Sequence, residues 1–147
     1  SDGYSIFISA GVFAESVTIT AAITIVGAGV GQTFVTPPSG SGFVIDSDLG
    51  TSATVSISGV EFADSANGSG VEFTNNGVLG TLSIADSKFE GNYRNGLAVG
   101  ANSSAVDLDN VVISNTDFIG NGGDPATQTS SGDGDILFFQ YFGDVSL

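Results

Sequence analysis

Short runs of Val, Ile, Phe and Thr, each broken off by Gly, Asn, Asp or Ser, fill this chain from end to end. Within them apolar and polar residues alternate with a period of two, as in strands with one buried face. The 3.6-residue spacing of an amphipathic helix is missing. The pattern predicts strands at 4–8, 16–20, 22–26, 42–46, 54–58, 70–74, 81–85, 96–100, 105–113 and 135–142.

The segments also repeat. "VSISGVEFADS" (55–65), "LSIADSKFEGN" (82–92) and "VVISNTDFIGN" (111–121) align on one apolar-x-Ile-x-x-x-x-Phe frame. Ile57, Ile84 and Ile113 are 27 and 29 residues apart, and Phe62, Phe89 and Phe118 share those spacings. A second motif lies between them: "GSGFVI" (40–45), "GSGVEF" (68–73), "RNGLAV" (94–99) and "GDGDILFF" (132–139), aligned on Gly42, Gly70, Gly96 and Gly134. A period in the twenties built from several short strands predicts a solenoid, each turn lying on the last at about 4.8 Å.

Equivalent side chains then stack in ladders. Ile57/Ile84/Ile113 and Phe62/Phe89/Phe118 point inward, as do Phe43/Ile45, Val71/Phe73 and Leu97/Val99, while Val44, Glu72 and Ala98 alternate outward. Glu61, Lys88 and Asp117 share an outward column, which predicts an exposed salt bridge with the lysine between two carboxylates. Gly59, Asp86 and Asn115 fall together at a corner, where left-handed backbone is expected.

Composition changes the picture by exclusion. The 147 residues suit a single domain, 1–147, with a substantial core. Lys88 and Arg94 are the only cationic side chains, against 16 carboxylates and a net charge of −14. Such a surface cannot neutralise phosphates, so nucleic acid is excluded as a partner and anionic membranes are disfavoured. No apolar run reaches the roughly 18 residues of a membrane span, so no membrane insertion is expected. Cys, His, Met and Trp are absent. That removes disulfides, thiolate zinc sites and imidazole bases together.

One stretch, "AITIVGAGVGQTF" (21–33), imitates a dinucleotide-binding strand and turn. The fingerprint asks for G-x-G-x-x-G and then a helix. Here Gln32 stands where the third glycine belongs, and Pro37 and Pro38 follow, which no helix start tolerates. These glycines are expected to turn a corner.

The chain resembles the right-handed parallel β-helix proteins of the pectin-lyase-like superfamily. "IFISAGVFAESVTITAAITIVGAGVGQT" (6–33) is similar to the first coil of many secreted bacterial members, with Phe13 at their usual Tyr and Glu15 and Val17 matching. "RNGLAVGANSSAVDLDNVVISNTDFIGNGG" (94–123) resembles their degenerate repeat. The resemblance implies an all-β, right-handed parallel β-helix of about four to five coils. It implies little about activity, because the superfamily spans lyases, hydrolases, esterases, epimerases, adhesins and tailspikes.

The lyases of this group use a Lys or Arg base with bridging Ca²⁺ on carboxylates. Arg94, beside Tyr93, is the candidate base, and Asp46, Asp48, Asp64, Asp86, Asp107 and Asp109 are candidate calcium carboxylates. "DSD" (46–48) and "DLD" (107–109) each put two acids on one side of a strand, but in different repeats and columns. The paired aspartates of a polygalacturonase-like hydrolase are absent, and two cations cannot line a groove for a polyuronate.

The period breaks once. Gly96 and Gly134 are 38 residues apart, which places an inserted polar loop at 122–135. Loops inserted on a repeat stack commonly carry binding groups. Asp124, Asp133 and Asp135, with Asp107 and Asp109, are the candidate ligands for a Ca²⁺ cofactor. Tyr93, Phe138 and Tyr141 are the candidate ligand-binding aromatics, suited to stacking on sugar rings if exposed. Asn67-Gly68-Ser69 and Asn102-Ser103-Ser104 are glycosylation triplets if the source glycosylates proteins.

The expected function is that of a non-catalytic, structural or adhesive solenoid segment, extracellular or on a bacterial cell surface, with cation or polysaccharide binding. The alternatives are a polysaccharide-active lyase or hydrolase with its site partly outside this chain, and an end-to-end assembling filament or surface layer. "DVSL" (144–147) reads as the opening of another strand, so the expected partners are further coils of the same protein or end-to-end copies.

Overall fold

The computed structural model describes residues 3–46, 48–73, 77–100, 106–123, 134–138 and 141–147, apart from the side chains of 141–143. Every element among them is a strand. In chain order these are β1 (Tyr4–Ile8), β2 (Gly11–Phe13), β3 (Val17–Ile19), β4 (Ile23–Gly27), β5 (Thr33–Val35) and β6 (Phe43–Ile45). There follow β7 (Gly50–Ser58), β8 (Glu61–Ala63), β9 (Val71–Phe73), β10 (Val78–Ala85) and β11 (Lys88–Glu90). The last five are β12 (Asn95–Val99), β13 (Val106–Ser114), β14 (Asp117–Ile119), β15 (Gly134–Phe138) and β16 (Tyr141–Ser146).

Consecutive strands do not pair. Each pairs with the strand three places along, always in parallel, giving three sheets. Sheet I runs β1-β4-β7-β10-β13-β16, sheet II β2-β5-β8-β11-β14 and sheet III β3-β6-β9-β12-β15. The chain therefore visits the three sheets in turn and stacks each visit on the one before. This is an all-β parallel β-helix.

The register reproduces the sequence ladders. Ile25, Ile57, Ile84 and Ile113 are aligned partners across sheet I, and Phe62, Phe89 and Phe118 across sheet II. Ile57, Ile84, Phe62 and Phe89 have no exposed surface. The rings of Phe62 and Phe89 stack with centroids 4.9 Å apart, and those of Phe89 and Phe118 at 4.7 Å. Phe43 meets Phe62 edge-on, also at 4.9 Å. Offset and edge-on contacts of this kind add to the apolar area they bury.

The glycine of the second motif is explained by this ladder. A Cβ on Gly70 would lie 2.5 Å from a ring carbon of Phe89 and 2.8 Å from the carbonyl oxygen of Gly96. A Cβ on Gly96 would meet Phe118 at 2.6 Å in the same way. Each ring fills the space a side chain would need, so Gly70 and Gly96 must be glycine.

Corners are set by left-handed backbone. Gly59, Asp86 and Asn115 have φ of 67°, 46° and 44°, as their shared column predicts. Asp64, Gly91 and Gly120 form a second such column between sheets II and III, with φ of 52°, 64° and 60°. Immediately after it, Asn92 and Asn121 stack as a carboxamide ladder. Each donates from Nδ2 to the main-chain oxygen of the preceding phenylalanine, Asn92 to Phe62 and Asn121 to Phe89, both at 3.0 Å. Asn92 also donates to Asn121 Oδ1 at 2.8 Å.

Three differences from the sequence pattern stand out. The strands of sheet II are three residues long, too short for alternation to announce them, and the inward phenylalanines of β8, β11 and β14 were their trace. The predicted strand at 135–142 is two strands, β15 in sheet III and β16 in sheet I. Asn95, not Gly96, aligns with Gly134, so Asp135 occupies the Gly96 column. A Cβ on Gly134 would meet nothing within 4 Å, so no packing holds that glycine in the ladder. Asp135 Oδ1 instead accepts from Asn121, from its main-chain N–H at 3.2 Å and from its Nδ2 at 2.8 Å. That pairing sets the register of the last turn. "DVSL" does continue sheet I, with Val145 aligned to Val111.

Candidate functional site

The outer face of sheet II carries a hollow. Its first outward column runs Val12, Phe34, Glu61, Lys88 and Asp117, and its second contains Ala63, Glu90 and Ile119. Across β2, β5, β8 and β11, Val12, Phe34, Thr36, Glu61, Ala63, Asp64 and Glu90 line an open trough of about 460 Å³, within the ~300–1,000 Å³ typical of ligand clefts. Val12 and Phe34 form its apolar side, with Val12 68% exposed. Thr36 and Ala63 complete the lining, and Glu61, Asp64 and Glu90 supply its carboxylates.

The acidic side is organised by one lysine. Lys88 Nζ lies 3.3 Å from Glu61 Oε1 and also bonds Glu90 Oε2. Glu61 is buried, and a buried carboxylate must be paired to be tolerated. It receives a second donor, the main-chain N–H of Gly31 at 2.9 Å to Oε2. Gly31 belongs to the "GAGVG" corner, where Gln32 and Thr33 both donate to Gly29 O at 3.0 Å. The glycine cluster that resembles a nucleotide turn thus turns a corner and offers its free N–H to a glutamate one turn on.

The salt bridge expected for Lys88 forms, with two changes. Its second partner is Glu90, two residues along the same strand face, rather than Asp117. It is also not exposed in the manner expected, because Glu61 is buried and Lys88 half-buried. Hydrogen bonding to Glu90, and then to Glu61, raises the Lys88 ammonium above the ordinary lysine value against the opposing effect of burial. The ammonium bridges two glutamates and ties β8 to β11 along this wall of the trough.

The residues singled out from the sequence lie apart. Arg94 is half-buried at the corner between β11 and β12, its main-chain N–H donates to Gly68 O at 2.9 Å, and it forms no ion pair among the described residues. Tyr93 is 46% exposed beside Gly123, where the inserted loop begins. Phe138 packs against the core opposite Val99. Tyr141 opens β16, and its side chain lies outside the described residues.

Nor do the described candidate calcium ligands come together. Asp107 and Asp109 are exposed on β13, on either side of fully buried Leu108. Asp135 terminates the asparagine ladder, and Asp124 and Asp133 lie outside the described residues. Asp48 accepts from Gly50 N–H at 3.2 Å, and Asp86 accepts from Asn115 Nδ2 at 2.5 Å. Among the described residues no three carboxylates gather as a metal site would require.

Sequence reasoning found the Glu61/Lys88/Asp117 column but not the trough around it. The missing signals were Phe34, which lies on a three-residue strand, and Glu90, which pairs with Lys88 at i, i+2. Comparison with known protein families, characterised proteins and solved structures finds no match to this chain.

Proposed function

We propose that this chain is a non-catalytic segment of an extracellular or surface-displayed β-solenoid that holds an extended carbohydrate in the trough of sheet II. The observation that carries the reading is the trough's two-sided lining: Val12 and Phe34 on one side, Glu61, Asp64 and Glu90 on the other. A pyranose has apolar ring faces and a rim of hydroxyl donors, and such a lining suits both at once. The parallel solenoid, the "IFISAGVFAESVTIT" opening and the low cation count support a place in the pectin-lyase-like superfamily on its non-enzymatic, adhesive side.

The test is calorimetric titration of the chain with a panel of neutral, amino and acidic oligosaccharides, repeated with Phe34→Ala. Binding of at least one member, lost on removing the ring, is the expected result. A panel with no binder, or binding that ignores Phe34, overturns the reading.

A further inference from the structure

The charges around the trough narrow the ligand further. Of its three carboxylates, Glu61 is fully engaged by Lys88 and Gly31. Glu90 offers Lys88 one oxygen, Oε2, and keeps the other. Asp64 is exposed, and its carboxylate makes no hydrogen bond among the described residues. The trough thus has acceptor oxygens in excess and one ammonium already committed. The only other cationic side chain, Arg94, follows β11 at the same corner as Asp64 but does not line the trough and forms no ion pair among the described residues. Donors for Asp64 and Glu90 must come from the ligand.

Taking the carbohydrate reading of the trough as its basis, we infer that the preferred ligand is a glycan carrying free amines, its ring faces against Phe34 and its ammonium groups toward Glu90 and Asp64. Charge complementarity favours it. A polyuronate meets like charge at every subsite, and a neutral glycan leaves the carboxylates with hydroxyl donors only. A cationic peptide is the competing occupant, and the floor argues against it. Extended peptides gain affinity by adding main-chain pairing at a sheet edge. This trough lies over the face of β5 and β8, both flanked by partner strands on each side.

The experiment titrates the full chain with the hexamers of glucosamine, N-acetylglucosamine and galacturonate, and with hexalysine, at low salt and at about 0.5 M salt. The glucosamine hexamer should bind most tightly, and its affinity should fall about tenfold or more at high salt. The N-acetylated hexamer should bind about tenfold more weakly, having lost its charge-assisted hydrogen bonds. Galacturonate should not bind. Glu90→Gln and Asp64→Asn should each weaken the glucosamine hexamer several-fold and the N-acetylated one by clearly less, with circular dichroism reporting an intact fold; an equal loss for both hexamers overturns the amine assignment.

Equal affinity for both amino-sugar hexamers, without salt dependence, overturns the amine assignment and leaves the carbohydrate trough standing. Hexalysine binding as tightly as the glucosamine hexamer and competing with it assigns the trough to peptides and overturns the inference. No binding by any hexamer overturns both readings.

Discussion

Sheets I and II enclose the same core and present opposite exteriors. Beneath, both are stacks of Ile, Val, Leu and Phe. Outside, sheet I carries aligned small residues, Thr24, Ser56, Ser83, Val112 and Ser146 in one column and Thr54, Thr81, Asn110 and Asp144 in the next. Sheet II carries a phenylalanine, a buried glutamate, a lysine and further carboxylates around a hollow. The difference teaches where each kind of information is stored in a solenoid. Inward ladders repeat because every turn must fill the same cross-section. Outward columns are free of that demand, so a column that mixes a ring, a buried acid and a base is a departure with a use.

The largest effect should come from beneath sheet II. Phe89→Ala removes the middle ring of a continuous stack and should cost about 3–5 kcal/mol in chemical denaturation, in the range of large-to-small core changes. A loss no greater than that of an outward substitution would break the division between faces. Gly70→Ala comes next. Its methyl would meet the Phe89 ring and the Gly96 carbonyl, and overpacking of this kind costs about 1–3 kcal/mol. An unchanged midpoint would mean that the glycine column is not held by the rings.

Asn121→Ala tests the corner between sheets II and III. It removes the side-chain donor to the Phe89 carbonyl and the acceptor of the Asn92 main-chain N–H and one Nδ2 hydrogen, a loss of about 1–3 kcal/mol by urea titration. The charged wall has a pH signature. Because Lys88 is raised above its unfolded value, its contribution is fully present below the ordinary lysine pKa and disappears as pH rises through the folded one. The melting temperature should therefore drop on the alkaline side in the native chain, and the drop should be smaller in Lys88→Gln. Equal alkaline profiles would detach Lys88 from stability. The smallest effect belongs to sheet I, where Thr24→Ser on its exposed face should stay within about 0.5 kcal/mol and leave trough binding unchanged.

The legible part of the molecule was the part that repeats. Ile57/Ile84/Ile113 and Phe62/Phe89/Phe118 could be aligned from spacing alone because identical side chains must stack on themselves. The short strands of sheet II were hidden because three residues give one inward side chain and no period. The last turn was misaligned because glycine marks two different things. At Gly96 it yields space to a ring, whereas at Gly134 nothing crowds it. Sequence shows the letter and not the neighbour that requires it. The trough was hidden for a further reason: Val12, Phe34 and Glu61 come from three different turns, and only the fold makes them adjacent.

The asparagine ladder has a direction. Hydrogen bonds run from the Ser65 N–H to Asn92, from Asn92 to Asn121 and from Asn121 to Asp135, so every carboxamide dipole points the same way and the series ends on an anion. Aligned amides polarise one another, and a charged acceptor at the end strengthens each link behind it. The interior rungs are interchangeable while the last is not. Duplicating one repeat between Asn92 and Asn121 would lengthen the series by a rung of the same kind and leave its anionic end in place.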